Sequence, residues 1–147
     1  DTMWEHCKLV NLKTGKIEFS TTDQEFSQVG GFYKHVLENE DETYAFIHNH
    51  NTATKLSLPD LQILAGDDNI KGIAAVRNDG IISLVESNGT VTNEYLPIYY
   101  EKQINQYIKE HAKEYGADIS IKAEEYAVEL AAREFGKGMV IYGNQRN

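Results

Sequence analysis

A short apolar run, Tyr44-Ala45-Phe46-Ile47, ends in His48-Asn49-His50 and is followed seven residues later by Ser57-Leu58-Pro59-Asp60. This stretch constrains the fold most, because a strand pattern gives way to a helix start across a short loop. In an extended chain residues i and i+2 point to the same side, so His48 and His50 can present two imidazoles to one point. Ser57 reads as a helix N-cap, and Pro59 suits the first helical turn. The Asp60 carboxylate then lies in the first turn, where the helix dipole favours an anion. Two imidazoles, one carboxylate and an open fourth position are the donor set of a catalytic zinc site, whereas a structural site would want four protein ligands, usually with cysteine. Cys7 is the single cysteine, which excludes an internal disulfide and leaves any zinc to histidine and carboxylate ligands.

Elements on either side extend the same alternation. Residues 4 to 12 read as a strand, Lys13-Thr14-Gly15-Lys16 as a turn and Ile17-Glu18-Phe19-Ser20 as the returning arm of a hairpin. Phe26, Val29, Phe32, Tyr33, Val36 and Leu37 fall at helical spacing between Asp23 and Glu40, with Gly30-Gly31 weakening that helix. His35 is expected on its polar face or boundary. Leu58 to Leu64 is a short helix ended by Gly66-Asp67-Asp68-Asn69, and the two aspartates there read as a helix stop rather than a cation site. Ile70 to Arg77 is apolar enough for an inner strand, Asn78-Asp79-Gly80 is a hairpin turn, and Ile81 to Glu86 returns. From Pro97 the pattern becomes helical: Ile98 to Tyr115 and Lys122 to Phe135, with Gly116 and Gly136 as stops and a tyrosine stripe that reads as core edge. Met139 to Tyr142 is expected as a short edge strand.

The expected organisation is one α/β unit over residues 1–93 and a helical extension over 94–147, packed on it or appended to it. A chain of 147 residues is long enough for one proper core. Fourteen basic against 23 acidic residues give a net charge of -9, which argues against nucleic acid phosphates and anionic membrane surfaces as partners. No apolar run reaches the ~20 residues of a transmembrane helix. The lone cysteine suits a reducing, cytoplasmic compartment. The start at Asp1, with no secretory signal, is expected to mark a piece of a longer chain.

The layout resembles the JAMM/MPN+ metalloprotease family, also called JAB domains, whose signature is an upstream glutamate, His-x-His and a Ser-x-x-Asp at the next helix start. His48, His50, Ser57 and Asp60 fall on those motif positions. Glu5, in a first strand followed by hairpin and helix, looks like the glutamate of the shorter bacterial branch, which includes RadC-like and phage- or toxin-associated domains. Glu18, in the return arm of the same hairpin, competes for that role. The resemblance covers roughly residues 4 to 86, and Asn51 stands where the family usually has proline, in a loop one residue shorter. It implies a cytidine-deaminase-like, three-layer arrangement of a mixed β-sheet flanked by helices. It further implies Zn²⁺ on His48, His50 and Asp60, Glu5 as general base then acid, and Ser57 as oxyanion donor. The implied reaction is hydrolysis of peptide or isopeptide bonds, with a protein or peptide substrate such as a ubiquitin-like tail. The rival expectation is a JAB-like scaffold that binds a partner without catalysis. A nuclease reading of His48-Asn49-His50 is verbal only, and the acidic charge counts against it.

Overall fold

A computed structural model describes residues 5–23, 29–50, 56–89, 94–114, 116 and 118–143, and gives residues 5, 21–23, 29–33 and 50 by backbone alone. The elements run β1 (Glu5–Asn11), β2 (Ile17–Asp23), α1 (Val29–Glu38), β3 (Tyr44–His50), α2 (Leu58–Gly66), β4 (Ile70–Arg77), β5 (Ile82–Ser87), α3 (Tyr95–His111), α4 (Ile119–Phe135) and β6 (Gly136–Tyr142). All six strands form one mixed sheet in the order β2-β1-β3-β4-β5-β6, in which only β3 and β4 are parallel neighbours.

The first hairpin is set by Asn11, whose side-chain oxygen accepts the backbone N–H of Lys13 at 2.8 Å and of Thr14 at 3.2 Å, an Asx turn. Leu9 pairs with Phe19 and Val10 with Ile17, so Glu18 is the extra residue of a β-bulge. β2 then continues to Asp23, the expected start of a helix; α1 is described from Val29, and residues 24–28 lie outside the described residues. The β-branched pair Thr21-Thr22 favours extended chain, while Gly30-Gly31 falls in the first helical turn; Phe26 lies outside the described residues.

The register lines up side chains in rows across the sheet. Leu9 faces Phe46, Phe46 faces Ile73, and Ile73 faces Val85; all four are buried. The next row, two residues along, runs Cys7, His48, Ala75, Ser83 and Ile141. Both β2-α1-β3 and β3-α2-β4 join parallel strands and step across the sheet in the same direction, so right-handed crossovers place α1 and α2 on one face. The contacts agree. His35 of α1 packs against the rings of Phe19 and Tyr44, and Asp60 of α2 meets His48.

The second helical segment belongs to the same layer. Ala123, Ala127, Val128, Ala131, Ala132 and Phe135 form the buried side of α4, and small residues let the helix approach the sheet closely. Directly after Phe135 the chain enters β6, which pairs antiparallel with β5, starting three residues before the expected Met139. A Cβ on Gly136 would lie 2.6 Å from Val85 Cγ1 and 3.0 Å from the Ala132 carbonyl, so α4 sits on the Val85 side. α3 lies on α4, with Tyr99 edge-on to Phe135 at 5.6 Å and Tyr107 beside Tyr126 at 4.9 Å. Of the tyrosine stripe, Tyr99 and Tyr100 pack at the core edge, whereas Tyr95 and Tyr126 are exposed. α3 starts at Tyr95 rather than Ile98, because Pro97 occupies the first turn, where its missing N–H has no intrahelical role.

The three-layer expectation is corrected by these placements: among the described residues the helices cover one face, giving two layers. The opposite face carries Val10, Ala45, Ile47, Ala74 and Leu84 along alternating strand positions. The 94–147 segment shares the central core, since Leu96, Val128, Ala131, Ala132 and Phe135 cluster with Leu9, Phe46, Ile73 and Val85. No helix among the described residues is long and apolar enough to cross a membrane.

Candidate metal centre

Ser57 has extended backbone (φ -112°, ψ 173°) as the N-cap of α2, Pro59 falls in the first turn, and Asp60 takes the third helical position. The Ser57 backbone N–H and hydroxyl both donate to Asp60 Oδ2, at 2.8 and 2.9 Å. This is the reciprocal half of a capping box. It locks the carboxylate at the positive end of the helix dipole and leaves Oδ1 directed elsewhere.

β3 supplies the other half of the site. Strand alternation buries Tyr44, Phe46 and His48 on the helix-covered face. The Phe46 and His48 rings lie 5.4 Å apart and tilted by 40°, so the phenyl backs the imidazole. His48 Nε2 stands 3.0 Å from Asp60 Oδ1, and the two residues are only 4% and 7% exposed. A strand end and a helix start thus meet in a buried imidazole–carboxylate contact.

At 3.0 Å the two side chains are in direct hydrogen-bond contact. Donors at about 2.0–2.1 Å from a tetrahedral zinc are separated by roughly 3.3 Å, a few tenths of an ångström more than observed. Among the described residues no group of three or more His, Cys, Asp or Glu side chains could hold an ion. Of the candidate ligands, only His48 and Asp60 have described side chains. The His50 backbone ends β3, two residues on, and pairs with Arg77 of β4; its side chain lies outside the described residues. Glu5 opens β1 and pairs with Asp23 of β2, and its side chain is likewise outside. In the β1–β3 register Cys7 lies opposite His48, and continuing that antiparallel ladder by two residues would set the Glu5 backbone level with His50.

Glu18, the competing glutamate, is not brought to the pair. It sits at the other end of β3, four residues or roughly 13 Å from His48 along the strand. Its Oε1 accepts from the Tyr44 hydroxyl at 2.8 Å and meets His35 Nε2 at 3.0 Å, and its Oε2 accepts from Asn11 Nδ2 at 2.6 Å. The hydrogen bond from His35, then those from Asn11 and Tyr44, hold its carboxyl below the usual glutamate value. Burial, with Glu18 adding to it, pushes the Tyr44 hydroxyl up to about 12. This polar cluster ties α1 to the sheet, and sequence reading left His35 as a boundary residue because the bulge at Glu18 is invisible without the register.

Other positions resolve simply. Asn49 Oδ1 accepts the His6 backbone N–H, which fastens β1 to the end of β3. Asp67 accepts the Asn69 N–H at 2.8 Å, the helix stop expected there. His111 lies 2.9 Å from Glu114 and against Tyr107 at the end of α3. Asn51 lies outside the described residues. Sequence reading missed Arg77, although counting back from the Asn78-Asp79-Gly80 turn sets it at the end of the strand that neighbours His50.

Comparison with protein-family models finds no family that matches the chain. No curated protein and no solved structure matches it either.

Proposed function

We propose that the chain is a zinc-dependent hydrolase of peptide or isopeptide bonds, of JAMM type on a JAB/MPN-like sheet. The observation that carries the reading is the buried 3.0 Å contact between His48 Nε2 and Asp60 Oδ1. A strand-end imidazole and a helix-start carboxylate converge there with Ser57 fixed on the same carboxylate. In this reading His48, His50 and Asp60 hold the metal. When bound, zinc supplies Lewis acidity and brings the pKa of a water toward ~7. Glu5 takes the proton of the attacking water and returns it to the leaving amine. The Ser57 hydroxyl turns from Asp60 Oδ2 to the developing oxyanion, while the Ser57 backbone N–H keeps Asp60 in place. The carboxylate thus stays oriented through the step.

The test is metal content by elemental analysis of protein purified without chelator, for the wild type and His50→Ala. The reading expects about one zinc per chain, lost in the variant. It further expects a peptidase activity that falls by about 10²–10⁴-fold in Glu5→Gln, the usual range for a general base, with zinc content unchanged. A folded chain that takes up no added zinc sinks the hydrolase reading and leaves a non-catalytic binding module.

A further inference from the structure

Arg77 ends β4 beside the candidate centre. In the β3–β4 register Ala75 pairs with His48 and Arg77 with His50, so Arg77 follows Ala75 on the helix-covered face, toward the carboxyl ends of the two parallel strands. Open α/β sheets receive ligands at that end. One strand spacing and two residues separate the His48 and Arg77 Cα atoms, roughly 8 Å, within reach of an arginine side chain.

Among the described residues the guanidinium is held by Asp79. Its side chain is 22% exposed, and Nη2 lies 2.6 Å from Asp79 Oδ2. Asp79 is itself placed by the hairpin: its Oδ1 accepts the Ile81 N–H at 3.2 Å. The turn is closed by Gly80 N–H to the Arg77 carbonyl and Arg77 N–H to the Ile81 carbonyl, both 2.9 Å. Gly80, at φ +85°, permits that closure because a side chain there would be strained. Arg77 Nε, by contrast, is buried and has no hydrogen-bond partner among the described residues. A buried donor on a cation normally finds an acceptor, and the remaining edge of a guanidinium fits a carboxylate with two parallel hydrogen bonds. The chain as a whole carries a charge of -9, so an anionic substrate needs a local cation to be held.

From this we propose that Arg77, positioned by Asp79, is the anion-recognition residue of the site and selects amide substrates bearing a carboxylate close to the scissile bond. The substrate part rests on the hydrolase reading; the carboxylate site itself does not. The carboxylate is either a free chain terminus or an acidic side chain, and the guanidinium chemistry is the same for both.

The test follows the Arg77 Nε–H resonance in ¹⁵N-labelled protein, one of only three arginine signals the chain can give and assigned by its loss in Arg77→Lys. N-acetylglycine supplies a terminal carboxylate and N-acetylglutamate α-amide a side-chain carboxylate; N-acetylglutamine α-amide is the neutral control. A saturable shift of Arg77 Nε–H with either carboxylate probe, absent with the control, supports the proposal, and the more tightly bound probe names the source. Backbone shifts around β4 with that probe are expected to weaken at least tenfold in Arg77→Lys and in Arg77→Gln, whose spectra also report that the fold is intact. No shift of Nε–H, an equal shift with the control, or unchanged affinity in both variants overturns it. Zinc uptake is scored separately. A shift without zinc leaves a carboxylate site on a non-hydrolase, and zinc without a shift leaves the hydrolase reading and removes Arg77 from it.

Discussion

Asp60 is where stability and chemistry can be separated, by replacing it with alanine and with asparagine. Alanine removes the acceptor that faces His48 Nε2 and the Oδ2 that receives both Ser57 donors. Hydrogen bonds to a charged acceptor are each worth about 1.5–3 kcal/mol, and loss of the cap partner adds about 1 kcal/mol. Because the three contacts share one carboxylate, the sum is not additive, and a loss of about 3 kcal/mol is expected. For a chain of this size that lowers Tm by about 6–12 °C. Asparagine keeps an oxygen for the two Ser57 donors and turns an amide N–H toward His48, which accepts in its other tautomer. Its expected loss is under about 1 kcal/mol. Asparagine nonetheless removes the negative ligand, so zinc content should fall in both variants while only alanine loses stability. The assay is urea denaturation followed by circular dichroism, with elemental analysis on the same samples. Asp60→Ala within about 1 kcal/mol of wild type would refute the stability account, and Asp60→Asn with full zinc would remove Asp60 from the ligand set.

Two further outcomes follow from the packing and the polar cluster. The carboxyl of Glu18 is held below its ordinary 4.5, chiefly by His35; a depressed folded-state pKa gives stability that is present above the unfolded value and lost as pH falls through the folded one. The acid limb of the wild-type stability curve below 4.5 should therefore be steeper than that of Glu18→Gln, and coincident limbs would show that the network contributes nothing. Gly136→Ala puts a methyl 2.6 Å from Val85 Cγ1, 2.9 Å from the Glu86 carbonyl and 3.0 Å from the Ala132 carbonyl. Because two of these are backbone atoms, we expect a loss of about 1–3 kcal/mol by urea denaturation, and a stability equal to wild type would mean that α4 and β5 separate more readily than their contact suggests.

Local physics made part of this molecule readable in advance. Strand alternation and the Ser57 cap act over two or three residues, and they sufficed to anticipate His48 at a strand end, a first-turn Asp60 and the bounds of β4. The Asn78-Asp79-Gly80 turn is equally local. What depends on pairing between distant segments was not readable. The bulge that turns Glu18 toward His35 exists only relative to β1, and the position of Arg77 beside His50 only relative to β3. The single helical layer follows from two crossovers stepping the same way, which requires the strand order. Gly136 looked like a helix stop, and it is one, but its lack of a side chain also lets β5 approach, a fact about Val85 rather than about its own neighbours.

The return of β6 to the outer edge of β5 makes the order of synthesis matter. As the chain emerges from the ribosome, β5 is complete while the residues that will flank it are still about 50 positions away, across α3 and α4. Until they arrive, β5 offers a row of unsatisfied backbone groups to any passing strand, and closing so long an excursion is slow compared with forming the β4–β5 hairpin. Local contacts form faster than distant ones, so early folding of the α3–α4 hairpin would shorten that wait and deliver β6 from the end of α4. A polypeptide stopped after residue 93 would keep the exposed β5 edge permanently, and self-association is its expected fate.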